Sequence, residues 1–292
     1  AEEPIDTQQT DKNGQALFAD LDAGTYYVKE IAAPNGYALD ETIRPFTIGG
    51  NNASWDVKTD IENSLKQYTL KLTKKGDDGK LLEGVEFEIS GNGITKKSAS
   101  GRDGVVTFTG LAFGEYTITE VEAPQGYVKA APIKVTIDGS DSAERVIQLE
   151  PIENKHTKLT VTKFAEDGKT ALPGAEFIIR NAEGKYVKVD GTSFASFADK
   201  KEDATAIVTG ENGTFTLEYL PLGKYVLEEI EAPEGYMIVT ASKDFEIKNS
   251  ETRVSINNTK IKTGLKIIKT DENGKLLEGI KFTLKNSVGG FV

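Results

Sequence analysis

Over short stretches of this chain apolar and polar residues alternate, and Gly, Pro, Asp or Asn interrupts the alternation every few positions. Leu70 and Leu72, Leu159 and Val161, and Leu265 and Ile267 keep a period of two, which places one face of an extended segment in a core and the other in water. A period of 3.6 is scarcely present. The elements expected are short strands joined by tight turns and packed as antiparallel β-sandwiches, an all-β fold.

The pattern recurs, and the recurrence sets the domain organisation. One segment reads Gly24-Thr25-Tyr26-Tyr27-Val28-Lys29-Glu30 with Ala33-Pro34-Asn35-Gly36-Tyr37, and returns at 114–127 and 223–236. A second reads Leu70-Lys71-Leu72-Thr73-Lys74 followed by Asp78-Gly79-Lys80, and returns at 159–169 and 265–275; each copy reads as strand, tight turn, strand. A third is Ile61-Glu62-Asn63, Ile152-Glu153-Asn154 and Ile256-Asn257-Asn258. Ordering them gives four pieces. Residues 1–65 are the C-terminal part of one module, 66–156 and 157–260 are complete modules, and 261–292 are the N-terminal strands of a further one. The module 157–260 is larger through an insertion from Asn181 to Gly210, read as a short helix or a solvent loop.

Phase exposes a chemical oddity. Lys74 is in phase with Leu70 and Leu72, Lys163 with Leu159 and Val161, and Lys269 with Leu265 and Ile267. Glu30, Glu120 and Glu229 are likewise in phase with Tyr26 and Val28, Tyr116 and Ile118, and Tyr225 and Leu227. Asn63 continues a face with Val57, Thr59 and Ile61, Asn154 follows Ile152, and Asn258 follows Val254 and Ile256. A strand end emerging into water, or a structural ion pair, would explain any one of these positions. The same three residue types at the same phase in every copy point instead to a shared buried site.

Desolvation favours the neutral forms of a buried amine and a buried carboxyl. A neutral Lys74 is a nucleophile, and a protonated Glu120 can hydrogen-bond to the Asn154 carbonyl, polarise it and pass a proton to departing ammonia. The product is an amide between two side chains. Confinement supplies the effective concentration such a step needs.

Composition narrows the alternatives. The sequence holds no Cys and a single histidine, His156, so disulfides, thiolate metal sites and His-rich ligand sets are excluded, and no metal or cofactor is expected. A net charge of −11 argues against nucleic acid and anionic membranes as partners. No stretch reaches the roughly 20 apolar residues of a membrane span, and Ala1-Glu2-Glu3-Pro4 is unlike a signal peptide, so any export signal is expected outside these residues. No Gly-x-Ser-x-Gly elbow occurs, and the protein is not expected to be an enzyme beyond a single autocatalytic turnover on itself. Asp77-Asp78-Gly79 and Asp138-Gly139-Ser140-Asp141 depart from EF-hand spacing and read as hairpin turns, and His156 reads as a linker residue.

The Lys…Asp-Gly-Lys…Gly-φ-x-Phe opening, the Tyr-x-φ-x-Glu-φ-x-Ala-Pro-x-Gly-Tyr segment (the E-box) and the terminal Asn together resemble the Cna-type B domains of Gram-positive surface proteins, including SpaA-type pilins. The resemblance extends over nearly the whole chain. It implies tandem prealbumin-like, inverse-immunoglobulin Greek-key β-sandwiches in an elongated array, with a Lys–Asn isopeptide bond joining the first and last strands of each module. Carried over, the bonds are Lys74–Asn154 promoted by Glu120 and Lys163–Asn258 promoted by Glu229. Asn257 neighbours Asn258, and alternation favours Asn258. Glu30 and Asn63 lack a lysine partner within the sequence, and Lys269 lacks its Glu and Asn.

The expected role is a structural stalk on a cell-wall-attached surface adhesin or pilin, outside a Gram-positive bacterium, in contact with neighbouring modules of the same protein. A tip outside these residues would meet a host extracellular-matrix protein. No Leu-Pro-x-Thr-Gly or Tyr-Pro-Lys motif is present, which favours a surface stalk over a pilin subunit. Two other readings put a ligand on the modules themselves: an adhesin binding a matrix protein through Phe194 and Phe197, or a glycan-binding accessory array of a secreted carbohydrate-active enzyme, for which only Trp55 offers an indole. A further reading joins copies head to tail, with Lys269 of one molecule completing Glu30 and Asn63 of another.

Overall fold

The structure, a computed structural model, describes residues 4–49, 60–140 and 145–286. Trp55, Val57, Thr59 and Asp141 lie outside the described residues. Regular structure is almost all β-strand, with one short 3-10 turn at Lys201–Asp203 among the described residues.

Within 66–156 the strand Tyr68–Gly76 buries every second residue, as its alternation requires. On one edge it pairs in parallel with Val146–Gln148 and Ile152–His156, and on the other antiparallel with Val105–Leu111. The facing sheet runs Ile94–Ala99, Glu86–Gly91, Gly114–Glu120 and Ile133–Ile137, antiparallel throughout. Between the sheets Leu70, Leu72, Phe87, Ile89, Val106 and Ile118 are fully or almost fully buried, and each such side chain contributes roughly 1.5–3 kcal/mol.

Residues 157–260 repeat this plan. Lys158–Ala165 lies between Glu251–Lys260, parallel to it, and Thr214–Glu218, antiparallel to it. Glu176–Asn181, Gly223–Glu231 and Ser242–Ile247 form the facing layer. The insertion builds strand in place of the expected helix or loop: Tyr186–Asp190 and Ser193–Ala198 form a hairpin, followed by the 3-10 turn. Val187, Val189, Phe194 and Phe197 suit a pleated, half-buried surface and decide the outcome. The hairpin pairs with Glu176–Asn181 at one end and touches Thr214–Glu218 at the other, so hydrogen bonding runs continuously from one layer to the other.

The Asp-Gly turns also differ from the hairpins expected. After Gly79 the chain makes only an isolated bridge, Lys75 to Leu81, before crossing to the facing sheet; Phe164 and Ala171 repeat this. In the N-terminal part Gly24–Val28 pairs antiparallel with Arg44–Ile48. Over 261–286 no strand is formed among the described residues, where Thr270 and Leu276 form an isolated bridge. Here Leu265 and Ile267 are exposed, so no core holds the segment extended.

Candidate functional site

Parallel pairing of the first and last strands positions the site. Lys74 lies opposite Ile152 and Lys163 opposite Ile256, and in each case the asparagine stands two residues further on, on the same face. The glutamate comes from the facing layer, where Glu120 opposes Phe87 and Glu229 opposes Phe177.

Lys74, Glu120 and Asn154 are all but sealed from solvent. Lys74 Nζ donates to Asn154 Oδ1 at 2.6 Å and to the Ile152 carbonyl at 3.2 Å. Asn154 Nδ2 donates to Glu120 Oε1 at 2.6 Å, and the Ala130 amide donates to Glu120 Oε2 at 2.8 Å. Burial pulls the Lys74 amine down to about 8, against the opposing pull of the Glu120 and Glu153 charges.

The second set is built alike. Lys163 Nζ donates to Asn258 Oδ1 at 2.6 Å, and Asn258 Nδ2 to Glu229 Oε1 at 2.6 Å. Here Glu229 Oε2 takes Lys163 Nζ directly, at 2.8 Å, where Glu120 takes a backbone amide. Burial lowers Lys163 from its ordinary value while the Glu229 hydrogen bond and charge work against it. The Phe177 ring lies 5.9 Å from Nζ. Asn257 is exposed, which separates it from Asn258.

The carboxyl therefore sits on the asparagine nitrogen, not on the carbonyl oxygen as the chemistry above supposed. This suits the proton's destination in the expected chemistry, where Nδ2 is the atom that would leave as ammonia. The phenylalanine wall and the Ala130 amide were not foreseen as parts of the site. The phenylalanine was visible as the Gly-φ-x-Phe repeat, whereas a backbone donor has no sequence signal.

The outer residues separate. Glu30 and Asn63 meet, Nδ2 donating to Oε1 at 2.7 Å, and the Asp40 amide holds Glu30 Oε2 at 2.8 Å, as Ala130 holds Glu120. Lys269 is exposed and donates to the Thr270 carbonyl at 3.1 Å. Phe194 and Phe197 pack on the core of their module with ring centroids 4.8 Å apart.

The chain belongs to the SpaA prealbumin-like fold domain family, whose profile matches residues 2–64, 68–150 and 157–260. Serine-aspartate repeat-containing protein D of Staphylococcus aureus is 30% identical over 332 residues, an alignment covering 99% of this chain and 22% of that protein. Serine-aspartate repeat-containing protein F of Staphylococcus epidermidis is 27% identical over 330 residues, covering 97% and 18%. The chain thus spans about a fifth of the length of these relatives. Among solved structures, the Bacillus anthracis TIE protein is similar with a TM-score of 0.40 at 22% identity, covering 95% of this chain and 57% of that one. Shaft pilin SpaA from Lactobacillus rhamnosus GG is similar with a TM-score of 0.36 at 18% identity, covering 68% and 99%.

Proposed function

We propose that residues 66–156 and 157–260 are modules of an extracellular stalk, each closing one Lys–Asn amide on itself, on a protein attached to the wall of a Gram-positive bacterium. The observation that carries the reading is the twofold recurrence of a sealed lysine amine 2.6 Å from an asparagine carbonyl oxygen, with a glutamate on the asparagine nitrogen. Nζ attacks Cγ, the Cγ–Nδ2 bond breaks, and the proton lost by the amine leaves with the nitrogen as ammonia, relayed by the glutamate. No outside substrate takes part, so the reaction runs once per module.

The parallel first and last strands give the bond a mechanical purpose. Force entering at Tyr68 and leaving at His156 would cross from Lys74 to Asn154 through the amide, and the chain between them would carry none of it. Membership of the family and the match to repeat-containing staphylococcal proteins support a surface stalk. Force spectroscopy on the full chain tests this. Without the bond, the 80 residues from Lys74 to Asn154 would release roughly 260 Å on unfolding. The stalk reading expects that increment, and its counterpart from Lys163 to Asn258, to be missing; their appearance would overturn it.

A further inference from the structure

Each E-box carries, six residues beyond its glutamate, a glycine the cross-link chemistry does not use: Gly36, Gly126 and Gly235. All three have a left-handed backbone, φ +84°, +81° and +82°, and all three offer their carbonyl to the chain leaving the module. Lys66 N–H reaches Gly36 at 2.8 Å, Thr157 N–H reaches Gly126 at 2.9 Å, and Ile261 N–H reaches Gly235 at 2.8 Å. The turn is the same, but the surroundings are not.

Gly36 and Gly126 are buried, each under an aromatic residue of the following module, and Gly235 is exposed. A Cβ on Gly36 would fall 2.1 Å from the Phe113 ring, and one on Gly126 would fall 2.6 Å from the Tyr219 carbonyl oxygen and 3.0 Å from its Cβ. One on Gly235 meets nothing within 4 Å. Phe113 and Tyr219 both lie on the connection into the E-box strand of their own module, Gly114–Glu120 or Gly223–Glu231, Phe113 one residue before its first glycine and Tyr219 four. The E-box tyrosines complete the contact, with Tyr37 6.1 Å from Phe113 and Tyr127 5.6 Å from Tyr219 between ring centroids.

The second junction is fastened from several sides. Tyr219 O–H donates to Asp78 Oδ2 at 3.0 Å, its ring stacks on His156 at 4.7 Å, and Lys80 Nζ lies 5.5 Å over it. The His156 ring is 2.8 Å from Asp77 Oδ1, and Tyr219 N–H donates to the Thr157 carbonyl at 2.8 Å. Tyr219 itself has φ +60°, a conformation a bulky residue keeps only when its surroundings over-determine it. Thr157 alone separates the strands Ile152–His156 and Lys158–Ala165; it is fully buried and donates from Oγ1 to the Leu220 carbonyl at 2.6 Å.

We propose that the E-box glycine is a docking socket for the next module, and that its occupant is an aromatic residue on that module's connection into its own E-box strand. The E-box thereby serves the bond through its glutamate and the coupling of neighbours through its glycine and tyrosine. Seated on Gly36 and on Gly126, the aromatic residue makes those consecutive modules a stiff rod, and the coupling does not depend on the amide bonds.

The absence of Cys allows nitroxide labels at Thr95→Cys and Glu183→Cys, two exposed sites in adjoining modules of the full chain. Double electron–electron resonance then reads the distance distribution between them. Expected are a narrow distribution in the parent, an unchanged one in Gly235→Ala, which bears the same backbone strain without the collision, and at least a twofold broadening in Gly126→Ala and in Tyr219→Ala. Should Gly126→Ala unfold its module, seen by circular dichroism, Tyr219→Ala with its intact turn decides. A broad parent distribution, or a Tyr219→Ala trace superimposable on the parent's, overturns the proposal.

Discussion

Asn63 donates to Glu30 at 2.7 Å although, among the described residues, no lysine hydrogen-bonds to either, and the Asp40 amide fixes the other carboxylate oxygen. The acid–amide half of the site is thus assembled by its own strands and loops. In the complete modules the lysine arrives on the first strand and meets groups already oriented, which is the preorganisation a slow intramolecular step requires.

Replacing the acid should abolish the bond in one module and leave the other untouched, since the two sites lie in separate cores. Glu120→Gln keeps a hydrogen-bonding group near Asn154 but cannot relay a proton, so cross-linking there should slow by about 100-fold or more. Peptide mapping after proteolysis reads each bond separately. Loss of both bonds in Glu120→Gln would contradict independent sites.

The stability cost follows from loop closure. A bond spanning 80 residues, from Lys74 to Asn154, contributes about 4–5 kcal/mol if it constrains the unfolded chain as a disulfide does. Glu120→Gln should therefore melt roughly 20 °C lower in that module. Calorimetry showing a shift of only a few degrees would mean that no covalent loop had been lost.

Acidity should control the proposed reaction through Lys74. With its amine drawn down to about 8, the group is protonated and inert below that pH and nucleophilic above it. Chain kept in denaturant since synthesis and then refolded should release ammonia from this module faster as pH rises from about 6 to 8, and level off beyond. The sign for stability is the same: before the bond forms, the fold binds fewer protons than the unfolded chain between about pH 8 and 10.5, so it gains stability across that window. A rate that falls with pH would remove the neutral amine from the account.

The two modules should not keep the same time. Lys163 Nζ is held by Glu229 at 2.8 Å and must surrender a proton to it before attacking, whereas Lys74 has only neutral carbonyls as hydrogen-bond acceptors. In a refolding time course the Lys163–Asn258 peptide should appear after the Lys74–Asn154 peptide. Simultaneous appearance would show that the direct ion pair does not govern the rate.

Burial of that pair yields a further test. Both side chains are fully enclosed, so relative to the chain before the bond forms Lys163→Met alone leaves Glu229 without its buried partner and should cost several kcal/mol, much of it recovered by Lys163→Met with Glu229→Gln. Denaturant melts of the two variants compare them directly. Equal stabilities would place the charge in contact with water.

Much of the site was legible because a strand's period of two is strict. Lys74, Glu120 and Asn154, and Lys163, Glu229 and Asn258, were singled out by phase together with its recurrence in every copy, and each lies buried on the face that phase assigned. Partners between strands leave no such trace. The parallel pairing of first and last strands, the Ala130 amide on Glu120, and the choice of nitrogen over oxygen by the carboxyl all depend on contacts distant in sequence. The insertion was misread because its polar Lys and Asp residues masked a run of β-branched and aromatic positions, and Leu265 to Lys269 because a strand needs a neighbour to remain one.

Intact-mass spectrometry of the folded, purified chain addresses the amide bonds most directly. The account predicts a mass below that of the sequence by two molecules of ammonia, with one restored by Glu120→Gln and one by Glu229→Gln. A mass equal to that of the sequence, in protein shown to be folded, would mean that the lysines and asparagines meet without reacting.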